Sequence, residues 1–294
     1  RCPCVQPSGS CACCPTPLAL GIFDRLGRLA WYSARRRRIG RANVAQALPG
    51  LTAAQRDRLV RVSSGQMARS LAEPLMLAPR YTLKTAVARF DFEPGVREYL
   101  EGLAGKGAVF VHGHFGGMET MDGILGMLGL QIATPMRPVN NYYLEKDILA
   151  TRKGWNVDLI PRQGGLRKMI SNLRQGRSVV LAADVNAHHA PIFVPWFGKP
   201  AASDRAAAYL ALRMGKPLVV CWCVRIQGRK FWRVGCKPIL EPEKPAEITE
   251  TKLFEVTRRI HAAMEEVILR APEQYLWIHD RYRTRPPGEA ADTE

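Results

Sequence analysis

The residues Ala108, Val109, Phe110 and Val111 form an apolar run of strand-forming types, and "HGHFGGMET" follows directly. Beyond it, Met121, Ile124, Leu125 and Leu128 recur at helical spacing. This pattern predicts a strand, a turn carrying two histidines, and a helix. The alternation continues: residues 131–136, 157–160 and 178–183 read as strands, and residues 142–153 and 165–174 as helices between them. Strand–helix repetition of this kind predicts an α/β fold with a largely parallel central sheet flanked by helices. Residues 217–226 and 230–234, joined at Gly228, predict a hairpin, and residues 249–270 a long amphipathic helix. Upstream, Pro49-Gly50 marks a turn, and a capped helix is expected from Thr52 with Leu59, Val62, Met67, Leu71 and Leu75 as its packing positions.

Residues 17–38 carry a different pattern. Leu18, Ile22, Leu26 and Leu29 repeat at helical spacing, but Asp24, Arg25 and Arg28 interrupt them. The uncharged span is thus well short of the about 18 to 20 residues that cross a bilayer. With Trp31, Tyr32 and the basic run at 35–38, the spacing predicts an amphipathic membrane-associating segment, with Leu18, Ile22, Leu26 and Trp31 on one side. A helix packed on the domain and followed by a solvated charge run is the alternative. Residues 1–16 are expected to be an unstructured leader, since five of the 8 cysteines crowd into its first fourteen positions. Cys11 and Cys14 have C-x-x-C spacing but no second ligand pair, so no metal site is expected. Cys221, Cys223 and Cys236 stand in apolar context and read as small buried hydrophobes. The main domain is expected over 39–288, with a loose tail at 289–294.

Charge narrows the partners. With 43 Lys and Arg against 26 Asp and Glu, the formal net charge is +17, which favours an acidic partner such as an anionic membrane or an acidic carrier protein. No zinc-finger spacing or RNP-like aromatic segment accompanies the basic residues, which argues against nucleic acid.

The turn holds the candidate chemistry. His114 has an acid five residues on, Glu119, whereas the same step from His112 reaches Gly117. Five residues of one continuous helix rotate by about 500°, so the pair could meet only if His114 preceded the helix and Glu119 lay in its first turns. Gly113, Gly116 and Gly117 make such a turn feasible. A carboxylate held against one imidazole nitrogen would fix the tautomer and free the other to accept a proton from a hydroxyl. No Ser or Cys nucleophile lies within the stretch, which points to direct attack by an acceptor hydroxyl without a covalent enzyme intermediate. By itself this spacing is also met by a structural histidine at a strand end.

The block resembles the H-x-x-x-x-D/E block of the lysophospholipid acyltransferase superfamily, and specifically its bacterial lipid A biosynthesis acyltransferases, which add late acyl chains. "RRIGRANVAQALPGLTAAQRDRL", "MRPVNNYYLEKDILATRKGW", "LIPRQGGLRKMISNLRQGRSVVLAADV", "IFVPWFGKPAAS" and "PEQYLWIHDRYRTRPPG" are similar to that family's blocks in the same order. The resemblance implies transfer of a fatty acyl group from acyl carrier protein to a hydroxyl of a hydroxyacyl chain on a lipid A precursor, at the cytoplasmic face of the inner membrane. It implies His114 and Glu119 as the catalytic pair, and Arg137, Arg152 and Asp184 as substrate-binding residues, with Arg137 a candidate for lipid phosphate. Arg152 could instead cap its helix, and Arg137 could pair with a surface acid. No cofactor or metal is implied. Acylation of another glycolipid, such as a phosphatidylinositol mannoside, and a catalytically silent membrane-binding protein are the competing readings.

Overall fold

The computed structural model describes residues 16–77, 88–136, 142–161, 163–227, 231–242 and 244–289. The expected leader at 1–16 falls almost wholly outside them, as does most of the expected tail, and so does Arg137. Helices α1 (Thr16–Gly27), α2 (Ala34–Ala47) and α3 (Ala53–Leu77) open the chain, followed by β1 (Phe90–Phe92) and α4 (Val96–Glu101). Then come β2 (Val109–His112), α5 (Met118–Met127), β3 (Ile132–Met136), α6 (Tyr142–Gly154), β4 (Val157–Pro161), α7 (Gly165–Arg174) and β5 (Ser178–Ala182). The chain continues with β6 (Ile192–Trp196), β7 (Lys199–Ser203), α8 (Ala206–Met214), β8 (Leu218–Arg225), β9 (Trp232–Leu240) and α9 (Glu250–Arg270).

The 7-stranded sheet runs β1-β9-β8-β2-β5-β3-β4. Every neighbouring pair is parallel except β8 and β9, which form the expected hairpin. Central β2 is buried along its whole length, as a parallel strand covered on both faces requires. One face of the sheet packs Val109, Val111 and Val179 beneath Met169, Leu210 and Met264. The other packs Phe110 and Val180 with Met121, Ile124 and Trp155. This second face is close-packed: a Cβ on Gly126 of α5 would lie 1.7 Å from the Trp155 carbonyl oxygen, and one on Gly123 would lie 2.4 Å from its ring.

Several elements depart from the sequence reading. Residues 17–38 are not one helix: α1 ends at Gly27, residues 28–32 form a 3-10 turn, and α2 begins after Ser33, which caps it. Trp31 leaves the leucine stripe. It packs against the core, with the Arg37 and Arg41 guanidiniums over its ring at 5.4 and 5.2 Å. Helix α3 has the predicted Thr52 cap, where Thr52 and Gln55 exchange hydrogen bonds. Its buried face, however, is Val60, Ser63, Ser64, Met67, Ser70 and Glu73, while Leu71 is exposed. Small residues let α1 approach this face, since Cβ atoms on Gly27 and Gly65 would meet Ala68 and Asp24 at 2.5 and 2.6 Å. An additional hairpin, β6–β7, turns through Phe197 and Gly198, both at positive φ. That conformation matches a two-residue hairpin turn, and no Asn-Gly or Asp-Gly marks it in the sequence.

Replacing Gly126 by Ala should force α5 off Trp155 and destabilise the protein by about 1 to 3 kcal/mol or more. Urea unfolding measures the loss, and an unchanged midpoint would show that this contact is not tight.

Candidate active site

Parallel register builds the site. β2 and β5 are adjacent with His112 opposite Ala182, so two residues further along each chain His114 and Asp184 stand side by side beyond the strand ends. Asp184 Oδ1 lies 2.8 Å from His114 Nδ1, and Oδ2 accepts the His114 backbone N–H at 2.6 Å. The carboxylate is buried, whereas the imidazole keeps a quarter of its surface exposed. Asp184, not Glu119, is therefore the acid on His114. The contact holds the Nδ1 proton and leaves Nε2 free to act as a base.

The turn after His114 is fixed by backbone bonds. The Leu276 N–H donates to the His114 carbonyl at 3.1 Å, Gly116 N–H to the Gln274 carbonyl at 2.9 Å, and Gly117 N–H to the Cys223 carbonyl at 2.7 Å. Gly116 has φ of 56°, and a Cβ there would sit 2.1 Å from the Cys223 carbonyl oxygen. Glycine is required on both counts. The C-terminal segment continues around the site, where His279 Nε2 accepts the Asn186 backbone N–H at 2.9 Å. Asn43 holds that segment by donating to the Trp277 and His279 carbonyls at 2.7 and 2.8 Å. The buried Arg281 ties it to β7 through the Ala202 carbonyl and the Ser203 hydroxyl.

Glu119 and Arg152 belong to a second cluster. Arg152, on the last turn of α6, is buried and ion-pairs with Glu119 and, at 2.9 Å, with Asp122. His112 Nε2 lies 3.3 Å from Asp122 Oδ1, so this histidine does have an acid neighbour, contrary to the sequence reading. The pairing was invisible at the H-x-x-x-x-E spacing because His112 points to the α5 face of the sheet, where Asp122 sits one turn beyond Glu119's position. His188 and His189 contribute no acid pair among the described residues; His188 Nδ1 lies 3.3 Å from Asn186 Nδ2.

Burial and charge compete over these groups. For His114, burial opposes the charged ring, but the Asp184 charge and hydrogen bond outweigh it and raise its pKa. Burial likewise works against the Asp184 carboxylate, yet its bonds to His114 and the His114 and His279 charges pull it below the usual range, to about 2. His279 is pushed down, chiefly by burial. His261, in the core beneath the site, is driven to about 3 by burial and the Arg281 charge and is a neutral structural residue. Burial lowers Arg152 to about 10. It pushes the Cys221 and Cys223 thiols far up, which leaves them poor nucleophiles. A small apolar cavity lies next to the turn, lined by Phe115, Met118, Met121, Trp222, Met264 and Ile268 together with His112 and Gly113. Among the described residues no cluster of His, Cys, Asp or Glu could hold a metal ion.

Replacing Asp184 by Asn removes the charge that raises His114 and leaves burial unopposed. In an imidazole NMR titration, His114 should then fall below the ordinary value of about 6.5. Glu119→Gln should leave that titration near its wild-type position, and the reverse result would return the orienting role to Glu119.

The family profile described as "Bacterial lipid A biosynthesis acyltransferase" matches residues 9–284. The chain is 27% identical over 290 residues to the lipid A biosynthesis palmitoleoyltransferase of Escherichia coli K12, covering 94% of this chain and 89% of that protein. It is 25% identical over 279 residues to the lipid A biosynthesis lauroyltransferase of the same organism, covering 93% and 88%. A solved structure, the 1-acyl-sn-glycerophosphate (LPA) acyltransferase PlsC from Thermotoga maritima, aligns with 86% of this chain and 98% of its own at 17% identity and a TM-score of 0.37. With nearly its whole length matched by the profile, the chain belongs to the bacterial lipid A biosynthesis acyltransferase family.

Proposed function

We propose that the protein transfers a fatty acyl chain from acyl carrier protein to a hydroxyl of a hydroxyacyl chain on a lipid A precursor, with His114 as general base. The observation that carries this reading is the His114–Asp184 pair, in a turn whose neighbouring residues Gly113 and Phe115 line an apolar cavity. Nε2 takes the proton of the acceptor hydroxyl as its oxygen attacks the thioester carbonyl. The C–S bond breaks, the carrier's thiolate leaves, and the imidazolium returns the proton to sulfur. Asp184 steadies the imidazolium while the positive charge exists. The raised thiol pKa values of Cys221 and Cys223 favour direct transfer over an acyl-enzyme. The Glu119–Arg152–Asp122 cluster sits at the first turns of the helix that follows the base. Its role in this reading is to shape the acceptor side of the site, to which Arg137 would add a phosphate contact.

The donor and the membrane are read from charge and surface. Acyl carrier protein is acidic and suits the +17 chain. On α1, Leu18, Ile22, Phe23 and Leu26 are exposed, as is Leu29 in the turn after it, an apolar stripe of the kind that enters a bilayer interface. No helix among the described residues is long and apolar enough to cross a membrane. Attachment at the cytoplasmic face of the inner membrane is read from this apolar stripe.

His114→Ala should lower transfer about 10²- to 10⁴-fold or more while the fold survives by thermal melting. Because the base must be neutral, wild-type kcat/KM should fall as pH drops through the raised His114 pKa. Retained transfer in a folded His114→Ala protein would remove it as the base. In a deletion strain the lipid A should lack one secondary acyl chain. Unchanged lipid A together with an altered glycolipid would overturn the acceptor assignment.

The double substitution Ile22→Asp and Leu26→Asp should release the protein from anionic vesicles at physiological salt. Full co-sedimentation of a folded double variant would place the attachment elsewhere.

A further inference from the structure

We infer that Arg225, acting through Ser70 and Glu73 of α3, is a positioning residue for the turn that carries His114. The inference rests on the reading of His114 as base and concerns how that base is held. Arg225 ends β8 and is largely buried, and its guanidinium grips Glu73 at two points, Nε to Oε1 at 2.8 Å and Nη2 to Oε2 at 2.9 Å. Nη1 donates to Gln66, two turns before Glu73 on α3. Nη2 also donates to the Ser70 hydroxyl at 2.8 Å. With its oxygen accepting from Arg225, Ser70 must direct its single proton to a carbonyl. The Gly116 oxygen, at 2.6 Å, is closer than that of Gln66, at 3.0 Å.

The same arginine reaches Gly116 by a second path. Its backbone N–H and carbonyl are both bonded by the Gln274 side chain, at 2.9 and 3.0 Å. The Gln274 carbonyl in turn accepts the Gly116 N–H at 2.9 Å. Both backbone groups of Gly116 are thus set by one buried ring centred on Arg225. A glycine has no side chain to pack, so hydrogen bonds at its two peptide groups decide how the turn lies. His114 is two residues away. Stability alone does not call for this arrangement, since an apolar stripe would dock α3 without burying a carboxylate and a guanidinium. What such a ring adds is a fixed geometry, and reacting groups displaced by about 1 Å can lose about 10²-fold in rate.

The test compares Ser70→Ala and Arg225→Lys with Leu253→Ala, a core truncation at the far end of α9 that lowers stability without touching the ring. Lysine keeps the charge but not the two-point grip. In acyl transfer, both ring variants should lose kcat by about 10- to 100-fold with KM nearly unchanged, and Ser70→Thr, which keeps the hydroxyl, should recover most of it. By NMR, His114 should titrate lower in both variants as its contact with Asp184 loosens. Asp184 beyond β5 and His279 on the C-terminal segment are the titratable groups that face it. Leu253→Ala should leave both readouts at wild-type values. If the ring variants melt earlier but keep wild-type kcat and His114 titration, Arg225 is a structural residue only. If the wild-type protein transfers no acyl group, the proposed function fails, and the titration still decides the positioning role. Should Arg225→Lys not fold, Ser70→Ala carries the comparison.

Discussion

Parallel pairing of β2 with β5 is the constraint on which the rest depends. The pairing has no slack, because β2 is buried on both faces, with four residues paired to β5 and three to β8. A slip of one residue would turn Val109 and Val111 to the opposite core and move His114 off Asp184. The histidine–carboxylate geometry is thus fixed by the same hydrogen-bond ladder that makes the sheet. The chemistry needs two groups from chain positions 70 residues apart, and the ladder supplies them at no separate ordering cost.

Around that pair the protein accepts several unfavourable burials. Arg152 lies between two carboxylates, and Arg225 lies between Glu73, Ser70 and Gln66. Desolvating such groups costs several kcal/mol per ion unless every hydrogen-bonding position is met, and removing one partner strands the other. Both clusters flank the turn between β2 and α5, where the close approach of Gly116 to Cys223 leaves little room for adjustment. Rigidity here comes from glycine contact and charge-assisted hydrogen bonds together. An apolar core alone could not aim a ring nitrogen.

The N-terminal helices join this rigid centre to a surface of opposite character. Helix α1 turns Leu18 and Leu26 outward, buries Leu20 and packs α3 through Gly27, Gly65 and Ala68, while α3 turns Ser70 to the active-site turn and Glu73 to Arg225. The exposed apolar stripe and the buried Ser70 and Glu73 thus sit on two helices packed closely against each other.

Much of this was legible in the sequence. Apolar runs of four to six residues alternating with 3.6-period segments predicted the parallel sheet nearly element by element, because such patterns follow from burial on two faces or on one. The position of His114 at a strand end was equally local. The helix from Thr52 was legible as a helix, but its inward face was not: propensity and apolar spacing favoured Leu71, while the tertiary demand for Ser70 and Glu73 at the turn decided otherwise. The β6–β7 hairpin turned through residues without the usual signal, since packing of Trp196 and Phe197 overrode turn preference. The partner of His114 was the largest difference. Glu119 is near in sequence and Asp184 is near in space, and strand register, a property of two distant segments at once, determines which carboxylate meets the ring.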